Sequence, residues 1–211
     1  MITVVGSLKG GSGKSTVTFN LAVWLAMAEV DVLAIDADPQ STLTDVLEVR
    51  RDEGYEPAVT LGEAAQLADP VALQRYGEVL IDVGTASMEN LRRAVEIADR
   101  ILVPVPPSQA DIWSTQRFIR YVDATCGKDK PELLGFINRG DTHRAVRESD
   151  EAAAALVSLP GIRFLKPRLA QRTVFRRSFS EGLAVFELDA RSKGAKEWLA
   201  LTAVVFPDVL S

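Results

Sequence analysis

Two periods of apolar and polar positions alternate along the chain. The runs "ITVVGS", "VDVLAID", "EVLIDVG", "RILVPVPP", "ELLGFIN" and "IRFLKP" are β-branched and nearly continuous in apolarity, as strands buried on both faces must be. Between them apolar residues recur at helical spacing. That spacing predicts helices from Lys14 to about Ala28, Ser41 to Arg51 and Leu61 to Tyr76, and then around Glu89 to Ala98, Asp111 to Thr125 and Val146 to Leu159. Two further helical segments close the chain. Strand followed by helix, repeated, predicts an α/β fold with a mostly parallel, doubly wound sheet flanked by helices and joined by right-handed crossovers. The charged, turn-rich stretch "RRDEGYEPA" reads as a surface loop.

Composition narrows this picture without changing it. With 211 residues, 47% of them hydrophobic, the chain is expected to form one domain over residues 1–211 with a well-filled core. Cys126 is the only cysteine, which leaves no partner for a disulfide and no thiolate set for a metal cluster. No charged segment precedes the first strand, and no apolar run reaches the roughly 18 residues of a membrane helix. These features predict a soluble protein of the cytoplasm. A net charge of −5 argues against uniform attraction to nucleic acid, although a mean charge hides patches.

The chemistry begins in "VVGSLKGGSGKST", where a strand ends, glycines let the backbone curl and a helix starts at Lys14. Backbone N–H groups and a helix N-terminus converge there on an anion, and a triphosphate is the natural ligand. Gly13, Lys14 and Ser15 satisfy a G-x-x-x-x-G-K-[ST] loop, but its first glycine would fall at Leu8. In such a loop Lys14 neutralises the β- and γ-phosphates and the Ser15 hydroxyl is a Mg²⁺ ligand. A second cation, Lys9, precedes the glycine pair Gly10 and Gly11. Two further stretches, "LAIDADPQ" and "VLIDVGTA", put Asp36, Asp38 and Asp82 at the C-terminal ends of strands, the sheet edge where ligands bind. Each aspartate alone could instead cap a following helix. Together with a phosphate loop they are better explained by a hydrated Mg²⁺ and an attacking water.

The segments "KGGSGKST", "DADPQ", "LIDVG" and "PVPPSQAD", in this order and over nearly the whole chain, resemble the ParA/MinD family of P-loop ATPases, and in particular its small ParA-type members. The resemblance implies ATP and Mg²⁺ as ligands. It implies that Lys9 marks a deviant Walker-A loop and reaches across a nucleotide-sandwich homodimer to the phosphates of the other subunit, as an arginine finger supplied in trans would. Nucleotide contacts then fall to Lys9, Gly10, Gly11, Ser12, Gly13, Lys14, Ser15 and Thr16. Asp38 would position the attacking water, Asp36 and Asp82 the magnesium shell. Asn138 in "GFINRG" falls where relatives contact adenine, and Pro167 in "FLKPRL" in the loop flanking the base; an Asn after a strand is as often a turn residue. The chain departs from the family at Leu8 and at Gly84, where many members carry proline. Neither departure removes a charge, but both bear on the switch geometry and the turnover rate.

From residue 152 to 180 there is no Asp or Glu, while Arg163, Lys166, Arg168, Arg172, Arg176 and Arg177 all occur. "AQRTVFRRSFSEG" predicts Arg172 and Arg176 one helical turn apart with Arg177 adjacent, a stripe for DNA phosphates. With the resemblance, this gives the expectation of an ATPase whose dimer binds nucleoid double-stranded DNA without sequence preference. A ParB-like or cargo-adaptor protein would stimulate its hydrolysis, and the cargo would be a plasmid, a chromosome or a protein assembly such as a carboxysome. The alternative is a MinD-like membrane-associated division regulator. Its lipid-binding helix is poorly served by "GAKEWLALTAVVFPDVLS", which has lysines only at its start, Pro207 within and Asp208 near its end. The lone His143 reads as a surface group. Trp24 and Trp198 read as core or interface packing, and Trp113 as packing or part of a dimer face.

Overall fold

The computed structural model describes residues 1–142 and 147–209; His143 and the start of the expected helix at Val146 lie outside them. Seven strands form one sheet: β1 (Ile2–Gly6), β2 (Val32–Asp36), β3 (Thr60–Glu63), β4 (Glu78–Val83), β5 (Arg100–Val105), β6 (Glu132–Ile137) and β7 (Arg163–Phe164). Every pairing is parallel, in the order β3-β2-β4-β1-β5-β6-β7. All strands therefore end on one edge.

The helices are α1 (Lys14–Met27), α2 (Thr42–Asp52), α3 (Pro70–Leu73), α4 (Met88–Ile97), α5 (Gln109–Cys126), α6 (Glu148–Val157), α7 (Thr173–Ser180), α8 (Val185–Leu188) and α9 (Lys193–Val205). Alternate strand residues enter two separate apolar layers. Ile2, Val4, Leu33, Ile35, Val79 and Ile81 pack with α4, α5 and α6, whereas Val5, Ala34, Leu80 and Leu102 pack with α1, α2 and α9. The doubly wound arrangement expected from the sequence is present.

Three local expectations are corrected. Leu61–Tyr76 is not a helix: β3 takes its first residues, a 3₁₀ turn follows over Ala64–Ala68, and only α3 is α-helical. Pro70 explains the break, because it can open a helix but not continue one, and Asp69 caps the new start by accepting from the Ala72 N–H at 3.1 Å. The closing part of the chain holds three α-helices rather than two. The stretch "RRDEGYEPA" is not all surface loop, since Arg50 lies in α2 with only 1% of its surface exposed. Its guanidinium meets both oxygens of Glu187 at 2.9 Å and the carbonyls of Pro57 and Gly182. Sequence polarity cannot reveal a cation whose full set of acceptors arrives from 7 to 137 residues away.

Candidate functional site

The loop between β1 and α1 lies at the strand-end edge, on the central strand. Its N-cap residue, Gly13, has φ 91° and makes no side-chain cap bond, so the first N–H groups of α1 are open to an anion. A Cβ at Gly13 would stand 2.5 Å from Asn138 Nδ2, and only glycine combines that φ with that contact. Lys14 is buried, with its ammonium 3.4 Å from the Lys9 carbonyl. Ser7 Oγ donates to the same carbonyl and lies 3.1 Å from Ser12 Oγ. Leu8, in place of a glycine, packs against the core.

Strand alternation places the carboxylates. Asp36 and Asp82 pair in register on adjacent strands, and both continue the alternation that faces α1 rather than α4. Their environments differ. Asp36 Oδ2 accepts from the Thr44 N–H and hydroxyl at 2.8 and 2.9 Å, and Oδ1 from the Asp38 N–H at 3.2 Å. Asp36 thus ties down the first turn of α2, whose own N-cap Ser41 makes no side-chain bond. Asp82 is 1% exposed and neither carboxylate oxygen has a hydrogen-bond partner. Burial pushes its pKa up to about 7, and the negative charges of Asp36 and Asp38 add to the shift. The Ser15 hydroxyl and Lys14 act against it, without completing a hydrogen bond to either oxygen.

An orphaned, buried carboxylate beside a serine hydroxyl and a lysine fits a cation that supplies the missing charge. Among the described residues no three acidic, thiol or imidazole side chains close on one point. Magnesium needs no such cage, because it keeps several waters and takes one or two protein oxygens plus phosphate. Asp38 accepts from the Gln40 N–H at 3.0 Å, and its Oδ2 sits where a Cβ on residue 84 would be. Gly84, the departure from the family's proline, therefore leaves the space that Asp38 occupies.

Beside Gly13 and Thr16 opens a cavity of about 300 Å³ with Val17, Asn138, Phe175 and Trp198 in its wall. Asn138 is buried, donating from Nδ2 to the Ser12 carbonyl at 2.7 Å. Pro167 is not in this wall; Leu169, Ala170, Gln171 and Arg172 of the same loop are. Trp198 is fully buried and its indole N–H has no acceptor. Trp24 is buried as expected, whereas Trp113 is exposed on α5.

The basic residues do not form a bare stripe. Arg172 is the N-cap of α7, and its guanidinium engages Glu197 at 2.5 Å. Arg176 borders the cavity and is exposed, and Arg177 pairs with Glu181 at 3.3 Å. Sequence reasoning gave no role to Asp111, which holds Lys9, or to Arg139. Arg139 has φ 56°, donates to the Gly11 carbonyl at 2.5 Å and bonds Gln171. The pattern S-x-x-D at Ser108 and Asp111 marks a helix start, but nothing in it names a partner 102 residues away.

The chain is 27% identical over 201 residues to a maintenance of carboxysome distribution protein A from Halothiobacillus neapolitanus, covering 92% of this chain and 90% of that one. Among solved structures it resembles a putative plasmid partition protein from Borrelia burgdorferi bound to AMPPNP, with TM-score 0.74, 18% identity and 98% of each chain covered. It also resembles the septum site-determining protein MinD from Pyrococcus horikoshii complexed with Mg-ADP, with TM-score 0.75, 19% identity, and 97% and 95% coverage. A family model for the CobQ/CobB/MinD/ParA nucleotide binding domain matches residues 3–185. With the loop, the carboxylates and the parallel sheet in place, this chain belongs to that family.

Proposed function

We propose that the protein is an ATP-driven positioning switch. In this reading the loop from Lys9 to Thr16 cradles the triphosphate, with Lys14 on the β- and γ-phosphates. The base enters the cavity beside Asn138, between Thr16 and the loop of Leu169 to Arg172. Ser15 and Asp82 hold Mg²⁺, with Asp36 reaching its water shell while anchoring α2. Bound there, the ion would neutralise charge building on the phosphoryl oxygens. Asp38 orients the attacking water. Lys9 completes the site of a second copy, so hydrolysis requires two protomers closed face to face.

The observation that carries this reading is the unpartnered Asp82 carboxylate, buried on the face of α1 next to Lys14 and Ser15. A purely structural strand end would not retain it. The relatives' names support a positioning role with a plasmid or a protein assembly as cargo; in the proposal that role is played on the nucleoid, with a partner protein that stimulates hydrolysis. Non-specific DNA contact falls to exposed Arg176 and Arg177, with Arg172 holding the start of α7. Phe175 and Arg176 also line the cavity, so a nucleotide in it touches the helix that bears these cations.

The test is sizing by light scattering with ATP, ADP or no nucleotide, alongside gel shifts on unrelated duplexes. Wild type should dimerise and retain DNA with ATP alone, with a slope of roughly −0.9 in log K per log salt for each phosphate contact. Lys9→Ala should bind ATP yet stay monomeric. A Lys9→Ala protein that dimerises and hydrolyses normally would falsify the sandwich mechanism.

A further inference from the structure

The lysine assigned to the opposite subunit is already engaged within its own protomer. Lys9 Nζ lies 2.8 Å from Asp111 Oδ2; the lysine side chain is 44% exposed and the aspartate 6%. Asp111 sits in the first turn of α5, where a helix N-terminus favours a negative charge. Its N–H donates to Ser108 Oγ at 3.2 Å, and the Ser108 hydroxyl bonds the same Oδ2 that receives Lys9. The carboxylate therefore has three supports, of which Lys9 is one. When the lysine leaves, the hydroxyl and the helix end remain, so the carboxylate is not left without partners. Lys9 is the more exposed member of the pair. It stands at the edge of an open groove of about 620 Å³ that Gly10, Pro107, Asp111 and Arg139 also line.

We propose that Asp111 is a positioning residue that parks Lys9 in cis and sets how tightly two nucleotide-loaded protomers pair. The proposal rests on the sandwich-dimer reading above. For Lys9 to reach a second protomer's triphosphate, its bond to Asp111 must break, and the strength of that bond is subtracted from dimer affinity. Without nucleotide, the parked lysine has no stronger acceptor to move to. With triphosphate opposite, the polyanion outcompetes one carboxylate that keeps its other supports. A diphosphate lacks the terminal group and leaves the lysine parked.

Two substitutions should act in opposite directions. Asp111→Asn weakens the cis bond while keeping the shape and the Ser108 contact. With a non-hydrolysable ATP analogue, the dimer dissociation constant should fall roughly tenfold, because each dimer releases two such pairs, one per protomer, and each alone is worth a few-fold. Nucleotide affinity of the protomer should not change, and no dimer should appear without nucleotide. Ser108→Ala removes the competing hydroxyl, leaves Asp111 more dependent on Lys9 and should weaken the dimer a few-fold. Asp111→Glu, which keeps the acid, should stay near wild type.

Analytical ultracentrifugation with the analogue reads all three, beside thermal melting. A weaker or unchanged dimer for a folded Asp111→Asn overturns the latch; if that variant melts below the assay temperature, an unchanged or tighter Ser108→Ala dimer does so. Lys9→Ala in the same runs separates the two ideas. If it dimerises like wild type, the sandwich reading itself fails. If it stays monomeric while Asp111→Asn shows no gain, only the latch fails.

Discussion

Two regions of this molecule concentrate positive charge, and they use it in opposite ways. At the start of α1, Lys14 is buried beside an unpartnered aspartate and an uncapped helix end, and among the described residues no acid forms an ion pair with it. Between residues 163 and 177 most of the cations already have acids. Arg163 pairs with Glu132, Arg168 with Asp150, Arg172 with Glu197 and Arg177 with Glu181. Among the described residues only Lys166 and Arg176 of that set have no ion-pair partner. A stretch without acids in sequence is thus not a stretch without acids in space. Charge along a chain predicts a binding surface only after its long-range partners are subtracted.

The contrast breaks most sharply at Lys14. Lys14→Ala should lower nucleotide affinity by roughly a thousandfold or more, because it removes a charge-assisted contact in a site where water cannot replace it. Arg177→Ala should leave that affinity unchanged. Isothermal titration of both with ATP and Mg²⁺ measures the difference. Comparable losses would mean that α7 is part of the phosphate site.

Asp82 offers the next largest effect, read through pH. Its folded pKa, about 7, stands above the ordinary value of 3.8, so the native state holds a proton that the unfolded chain releases. Stability from this group is full below about pH 4 and is lost as pH rises toward 7. The loss amounts to roughly 4 kcal/mol by pH 7 at about 1.4 kcal/mol per unit. Without nucleotide or metal, the melting temperature of wild type should therefore fall across that window relative to Asp82→Asn, and Mg²⁺ with ATP should restore it at pH 7.5. A flat difference between the two proteins would show that the carboxylate is not buried and unpaired in solution.

Legibility followed the range of the interactions. The β1 loop, the strand-end aspartates and the parallel sheet were readable because each is set by neighbours within a few residues: a glycine turn, a helix start, a period of two. The segment Leu61–Tyr76 failed because its apolar spacing fits a helix while Pro70 and the pairing of Gly62 with Ile35 on β2 decide otherwise. Asp36 was read as a magnesium residue, and the structure adds the capping role that strand-end aspartates share, through Thr44. Asp111, Arg139 and the buried Arg50 were missed for one reason: each is defined by a partner 102, 128 or up to 137 residues distant.

Arg172 sharpens the comparison within the basic segment itself. It is about a quarter exposed, as is Glu197, and the pair is joined by three short contacts. Arg172→Ala should cost about 1–2 kcal/mol of stability, since Glu197 keeps only the Ala170 N–H as a bond of its own. Arg176→Glu with Arg177→Glu should leave the melting temperature nearly unchanged and abolish ATP-dependent DNA retention. If Arg172→Ala abolishes retention with no loss of stability, Arg172 faces the duplex and its bond to Glu197 is incidental.

The smallest effect belongs to Arg163. Its guanidinium lies 2.7 Å from Glu132, yet both side chains are more than half exposed. Water and salt screen such a pair, and ordering two long side chains offsets most of its attraction, so the net value is a few tenths of a kcal/mol. β7 is only two residues long and pairs with β6 alone, which makes it the place where a surface ion pair has the best chance of mattering. Arg163→Ala should still shift stability by less than about 0.5 kcal/mol, with no change in nucleotide or DNA affinity. Urea titration at low and at high salt is the measurement. A loss above about 1.5 kcal/mol that vanishes in high salt would mean that charge, rather than the apolar contacts of Leu165 and Leu169 behind the strand, holds this edge of the sheet.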